Sequence, residues 1–179
     1  PALSVIFLIF VTALCLLDMM REYVRNSEYH PDMEKLRELL SKATDEQKLN
    51  ILQQTKSRWT DRTALHVAAY RDDAEMITTI LSSLQSSDRL KLLMMKDNVK
   101  RTPLQRAASE GHTKSVKAIF NSLTADQQMQ LLAVEEDWFD ETAVEMAYDE
   151  TADVLSEYKN RAREKADPGK FIPLNSHVM

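Results

Sequence analysis

Residues 102–108 read TPLQRAA, and this stretch decides the fold because it recurs at a nearly fixed distance along the chain. Residues 63–69 read TALHVAA and residues 142–148 read TAVEMAY, so the block begins at positions 63, 102 and 142. A period of about 40 residues predicts stacked helical units that each contact only their neighbours, in place of one closed core. Such a stack offers a long surface for binding other proteins and seldom builds a catalytic pocket.

The unit from 97 to 134 shows what the repeated residues do. Thr102 followed by Pro103 predicts a helix start, since the threonine hydroxyl can accept an unpaired backbone N–H and proline has no N–H of its own. Gly111 predicts the end of this first helix, because glycine adopts the left-handed conformation freely. Apolar residues at helical spacing mark this helix, a second helix and a short third patch: Leu104, Ala107 and Ala108; Val116, Ile119, Phe120 and Leu123; Met129, Leu131 and Leu132.

These residues resemble the ankyrin repeat. The resemblance rests on its Thr-Pro-Leu-His, Ala-Ala and Gly-His elements and covers roughly residues 33–160. It implies that His66 and His112 bond to neighbouring turn backbone, and that side chains of the connecting turns meet partners. The residues to which it assigns a structural role are Thr63, Leu65, His66, Ala68 and Ala69 in one unit and Thr102, Pro103, Leu104, Ala107, Ala108, Gly111 and His112 in the next.

The units depart from the ankyrin pattern in their length and in their turns. An ordinary ankyrin unit is shorter, at about 33 residues. The surplus falls at 85–95 and 124–134, and we interpret it as an added helical turn or two, present also at 44–54. Gly111 has Asp72 as its counterpart in the preceding unit and no clear one in the last unit. The glycine usual two positions before the threonine is replaced by Asp61, Lys100 and Asp140.

The predicted fold is all-α. It is an ankyrin-like α-solenoid of stacked helix pairs with an extra short helix per repeat, preceded by an N-terminal hydrophobic helix at 1–20. We predict a repeat domain at 28–166 and a flexible tail at 167–179. The repeats are expected at about 28–57, 58–96, 97–136 and 137–160.

Composition and charge exclude several classes of function. The net charge of -5 argues against general nucleic-acid binding, which needs a basic surface to neutralise phosphates. Two glycines cannot build a phosphate-binding loop, and no pair of His, Cys or acidic residues has zinc spacing. Cys15 is the only cysteine, so the chain has no internal disulfide. We therefore expect no catalytic, cofactor-binding or metal-binding residues, and the protein is predicted not to be an enzyme.

The segment 1–17, PALSVIFLIFVTALCLL, carries no charge. As a helix at about 1.5 Å per residue it spans about 25 Å, just short of a hydrocarbon core of ~30 Å. Three alternatives stand for it: a membrane-spanning helix, a signal peptide, or a buried helix that caps the stack. Arg21 and Arg25 follow it, and under the first alternative the positive-inside tendency would place the repeats in the cytoplasm.

The predicted function is protein–protein interaction through the repeat turns and the concave face. Aromatic side chains supply much of the energy at protein interfaces, although packing within the unit is the alternative for the two tryptophans. An acidic balance favours a partner that carries basic residues. The alternative function is the cytoplasmic regulatory or tethering portion of a larger membrane protein, such as a receptor or channel. The predicted partner-binding residues are Trp59, Trp138 and Phe139 in the turns and Tyr70, Arg71, Ser109 and Glu110 at the ends of first helices.

Overall fold

The computed structural model describes residues 2–25, 32–54, 61–134 and 141–166, and these contain eleven helices and no strand. The helices are α1 (Ala2–Arg25), α2 (Met33–Lys42), α3 (Asp45–Gln54), α4 (Ala64–Tyr70), α5 (Ala74–Ser82), α6 (Ser86–Leu93), α7 (Pro103–Ser109), α8 (Thr113–Asn121), α9 (Ala125–Leu132), α10 (Ala143–Met146) and α11 (Asp149–Ala166). The predicted all-α class is therefore confirmed.

The helices form successive units, and corresponding helices of neighbouring units contact one another. Helices α1, α4, α7 and α10 form a row of first helices. In the row of second helices, α5 contacts α8 and α8 contacts α11. In the row of third helices, α3 contacts α6 and α6 contacts α9. Because each contact joins neighbours, the molecule is a solenoid, as the repeat predicts.

The third helices α3, α6 and α9 account for the length that exceeds the ordinary ankyrin unit. They occupy the three surplus stretches of the sequence, so the predicted extra short helix is present. Polar side chains join them across the units. The Nε2 of Gln127 donates to the carbonyl of Ser86 at 2.8 Å, and the Nε2 of Gln85 donates to the carboxylate of Asp45 at 2.9 Å.

Helix α1 lies on the repeats through its C-terminal half. Leu16, Met20 and Tyr23 are fully buried and belong to the same apolar cluster as the repeats. Because α1 contacts α2, α3 and α4, it takes the place of a first helix in the first unit. This packing agrees with the alternative of a buried helix that caps the stack. The helix is longer than predicted, since it ends at Arg25 and not at residue 20.

The side of α1 that is not packed on the repeats changes from apolar to charged at Asp18. Before this residue it exposes Phe10, Val11 and Leu14, whereas after it the helix carries charges, with Arg21 at 3.8 Å from the Asp18 carboxylate. The membrane-spanning alternative for this segment is not supported, since no helix within the described ranges combines the length and apolarity that crossing a bilayer requires.

The last unit is shortened and covered by α11. Helix α10 has only 4 residues, whereas α11 has 18 and packs on both α8 and α9. The ring of Tyr158 stacks on Phe120 with centroids 4.5 Å apart, and its hydroxyl donates to Asn121 at 2.9 Å. Through these contacts the apolar cluster continues from α1 to Leu155 of α11.

Left-handed backbone occurs at turns where the ankyrin repeat usually has glycine. Gly111 has φ of 71°, and its counterpart Asp72 has φ of 55°. Asp72 is held there because its carboxylate accepts bonds from the N–H and the hydroxyl of Ser115, both at 2.9 Å. Lys100 has φ of 64°, a conformation that costs about 1 kcal/mol in a residue with a Cβ. Asp149, with φ of 51°, is the counterpart in the last unit that sequence analysis did not find.

Candidate functional site

Each first helix after α1 begins with a threonine that pairs with the third residue of its helix. The pairs are Thr63 with His66, Thr102 with Gln105, and Thr142 with Glu145. The threonine N–H donates to the partner side chain at 3.2, 2.9 and 2.7 Å respectively. In the last unit, the bonds from the Thr142 backbone and hydroxyl hold the pKa of the Glu145 carboxyl below its usual value. These paired bonds fix the start of each first helix.

The same third position also joins each unit to the next. The Nε2 of His66 donates to the carbonyl of Arg101 at 3.0 Å. One unit later, the Nε2 of Gln105 donates to the carbonyls of Val134 and Glu141, both at 3.1 Å. Glutamine replaces histidine here because each side chain supplies one acceptor and at least one donor. Neighbouring first helices are thereby held at a fixed separation.

His66 makes hydrogen bonds both within its own unit and to the next one. Its side chain is fully buried. Its Nδ1 accepts from the N–H of Thr63, while its Nε2 donates to the backbone of the next unit. Burial lowers the pKa of His66 to about 4, although the charge of Asp97 acts in the opposite direction. Both ring nitrogens are engaged, so a metal ion or a proton at Nδ1 would have to displace the bond from the Thr63 N–H.

Asp97 organises the turn before α7. This carboxylate is 3% exposed. Its Oδ1 accepts from the N–H groups of Val99 and Arg101 at 3.0 and 3.1 Å, and its Oδ2 accepts from the Nε of Arg106 at 2.8 Å. The Nε of Arg62 lies 3.7 Å from the same Oδ2, which is an ion-pair distance without a hydrogen bond. One carboxylate therefore faces two guanidinium groups.

Side chains at the ends of the first helices form an exposed row. Tyr70 and Ser109 are the last residues of α4 and α7, whereas Tyr148 lies two residues after the end of α10. Tyr70 is 46% exposed and Tyr148 is 51% exposed, although both are large aromatic residues. We call the row and its neighbours the first-helix surface, which consists of Tyr70, Arg71, Ser109, Glu110 and Tyr148.

The backbone under the first-helix surface is held in place. The Nε2 of His112 donates to the carbonyl of Tyr70 at 2.8 Å. The ring of Tyr148 lies close to Gly111, where a Cβ would come within 3.5 Å of it. The guanidinium of Arg62 lies over the Tyr70 ring at 5.3 Å from its centroid, which restrains this ring by a cation–π contact. The exposed tyrosines are thus attached to a rigid support.

Comparison with known families agrees with this geometry. A family model described as ankyrin repeats (3 copies) matches residues 27–130, which is more than half of the chain. The chain belongs to the ankyrin-repeat family. A search of curated proteins found no match. Ankyrin repeats are generally protein–protein interaction modules, and the family is typically not catalytic.

The ankyrin array places the predicted structural residues in and beside its core. Pro103 is the first residue of α7, and Gly111 follows its C-terminus with positive φ. Between the helices, six apolar residues of the two central units are at most 1% exposed: Leu65, Ala68, Ala69, Leu104, Ala107 and Ala108. The alanines among them are small, so neighbouring helices of the array can approach closely.

The structure describes four of the seven predicted partner-binding residues. Trp59, Trp138 and Phe139 lie outside the described residues. Tyr70 and Glu110 are exposed, while Arg71 and Ser109 are half-buried, and the guanidinium of Arg71 lies 4.9 Å from the centroid of the Tyr23 ring. Sequence analysis missed Tyr148. The period gave no signal for it, because the repeated block aligns Tyr148 with the buried residues Ala69 and Ala108.

On the side of the second and third helices, the ankyrin array has two grooves at equivalent places. One of about 230 Å³ lies among α2, α3 and α5, and one of about 300 Å³ lies among α5, α6 and α8. In the second groove, Arg89 donates to the carbonyls of Leu84 and Ser122, both at 2.9 Å, and so joins two units. Within the described part of the chain, no three His, Cys, Asp or Glu side chains are grouped closely enough to hold a metal ion.

Proposed function

We propose that the protein binds another protein through the first-helix surface and the adjoining turns, without catalysis. One observation carries the proposal: two exposed tyrosines, Tyr70 at the end of α4 and Tyr148 just after α10, stand on units that hydrogen bonds join to one another. Tyrosine gives a large contact area and a polar tip, and such residues often dominate binding energy. A preformed surface also loses little conformational entropy when a partner binds.

The binding unit includes α1 as well as the repeat domain proposed at 28–166, because Leu16 and Met20 complete the core of the first unit. Trp59 and Trp138 in the turns would extend the binding surface, and their contact with a partner stays a prediction. The net charge of -5 by itself favours a basic partner, which also stays a prediction.

Replacing both exposed tyrosines, Tyr70→Ala with Tyr148→Ala, is expected to weaken partner binding at least about tenfold, as loss of interface anchors does. Ligands are selected from a library of displayed random peptides with the full chain, and their dissociation constants are measured by fluorescence anisotropy. The melting temperature of the variant should stay close to that of the wild type, because about half of each side chain is exposed and neither belongs to the apolar cluster.

The matched control for this test removes two exposed side chains from other faces. Arg37→Ala with Lys91→Ala, on α2 and α6, should leave the dissociation constants unchanged. Equal binding by the wild type and the tyrosine variant would contradict the proposed surface. A library that yields no ligand at all would count against the binding function itself.

A second candidate function is the cytoplasmic regulatory or tethering portion of a larger membrane protein. The observation that favours it is the exposed apolar side of α1, where Phe10 is 68% and Leu14 is 46% exposed. We expect the full chain to co-sediment with phosphatidylcholine vesicles and Phe10→Ser with Leu14→Ser to abolish this. Met94→Ser is the control, because Met94 is an exposed apolar residue elsewhere. Wild-type protein that stays in the supernatant would remove this candidate.

A further inference from the structure

Asp97 has no acceptor capacity left for Arg62. An ionised carboxylate offers about four lone-pair positions. Two of them accept the backbone N–H groups of Val99 and Arg101, and the other two accept the Nε and Nη2 of Arg106. Arg106 is itself buried, so the charge of Asp97 is already balanced by its closest guanidinium.

Because Asp97 is shared with Arg106, the positive charge of Arg62, beside the first-helix surface, is compensated only in part. Its Nε is buried and makes no hydrogen bond, and its ion pair in the described residues is the one at 3.7 Å to Asp97. Its side chain is 28% exposed, so part of it can be reached from solvent. The same group lies over the ring of Tyr70, which is 46% exposed. The half-buried guanidinium of Arg62 and the exposed ring of Tyr70 thus lie next to each other on the surface.

We propose that the partner docks with an acidic segment, whose carboxylate binds Arg62 while neighbouring apolar atoms cover Tyr70. This inference rests on the proposed function and names the chemistry of its partner. A guanidinium presents parallel N–H groups that match the two oxygens of a carboxylate, so the pair is specific as well as strong. Contact depends on the local charge, and two guanidinium groups, of Arg62 and Arg106, face the single carboxylate of Asp97 here.

Titration of the full chain with hexaglutamate and hexalysine peptides tests the proposal, with ¹⁵N NMR as the readout. Hexaglutamate should shift the amide signals of Arg62, Tyr70 and Arg71 in a saturable manner, and hexalysine should not. Arg62→Gln should raise the apparent dissociation constant for hexaglutamate about tenfold, because a charge-assisted pair is lost. Arg37→Gln is the matched control, since it removes the same charge from α2, where Arg37 pairs with Glu75 at 3.0 Å.

Arg62→Lys serves as a second variant in case Arg62→Gln does not fold. Lysine keeps the charge but lacks the planar fork, so it should bind hexaglutamate more weakly than the wild type and more tightly than a neutral residue. Preference for hexalysine, shifts centred on Arg37, no shift with hexaglutamate, or equal affinity of the Arg62 variants and the wild type would each overturn the inference.

The outcomes separate this inference from the proposed function. If displayed peptides depend on Tyr70 and Tyr148 but bind Arg62→Gln as tightly as the wild type, the proposed surface stands and the acidic partner is wrong. If they depend on none of the three residues, both proposals fail.

Discussion

Leu104→Asp is expected to unfold the entire array and not only its own unit. Leu104 is 0% exposed, and its helix α7 contacts α4, α8 and α10. A carboxylate at this position would be desolvated without a partner, at a cost of more than about 4 kcal/mol. The free energy of unfolding of a natural domain is about 5–15 kcal/mol, and a stack this short has few units to spare. Loss of the 222 nm circular dichroism signal and of the melting transition would show it.

Gln130→Asp is the matched control for this change. It introduces the same charge at an exposed position of α9, so its effect should stay within about 0.5 kcal/mol. A Leu104→Asp protein with full helical signal and an unchanged melting temperature would show that the repeats are not stacked as described.

The second large effect is a loss of stability at mildly acidic pH through His66. The pKa of this imidazole is about 4 in the folded protein against an ordinary value of 6.5, because burial disfavours the charged form. Between these values the unfolded chain binds more protons than the folded one, so the free energy of unfolding falls as pH falls. The contribution is complete above pH ~6.5 and decreases by about 2 kcal/mol between pH 7 and pH 5.

His66→Gln isolates this contribution, since glutamine does not titrate and Gln105 performs both hydrogen-bonding roles in the next unit. Urea unfolding of the wild type and of the variant is compared from pH 7 to pH 5. The difference in their free energies of unfolding should shift in favour of His66→Gln as the pH falls. A difference that stays constant across this range would contradict the assignment, because other titrating groups are common to both proteins.

The parts of the fold that the sequence predicted are those with a local cause. Thr102, Pro103 and Gly111 act within their own helix and turn, so their roles can be recognised without knowledge of the rest of the molecule. The role of α1 was not predicted, because the apolar run at 1–17 shows no preferred face. The periodic signal begins where that run ends: the buried residues Leu16, Met20 and Tyr23 recur at helical spacing among charged residues. The predicted end at 20 cut this pattern short.

The candidate site was predictable only in part, for a related reason. The period of the sequence placed Tyr70 and Ser109 at the ends of first helices, but it aligns Tyr148 with the buried residues Ala69 and Ala108 and so could not mark it as exposed. The charge state around Arg62 could not be predicted, because it depends on which of two arginines fills the acceptor positions of Asp97. That competition is decided by side-chain geometry and not by spacing along the chain.

The third helices change the mechanics of the array. Adjacent units are joined along the first helices by His66 and Gln105 and again, on the other side, by bonds such as that from Gln127 to Ser86. Two rows of bonds between units, one along the first helices and one along the third helices, resist torsion between units far better than one row does. The units should therefore move together as one rigid body. A partner bound at one end of the array would then keep a constant orientation relative to the other end.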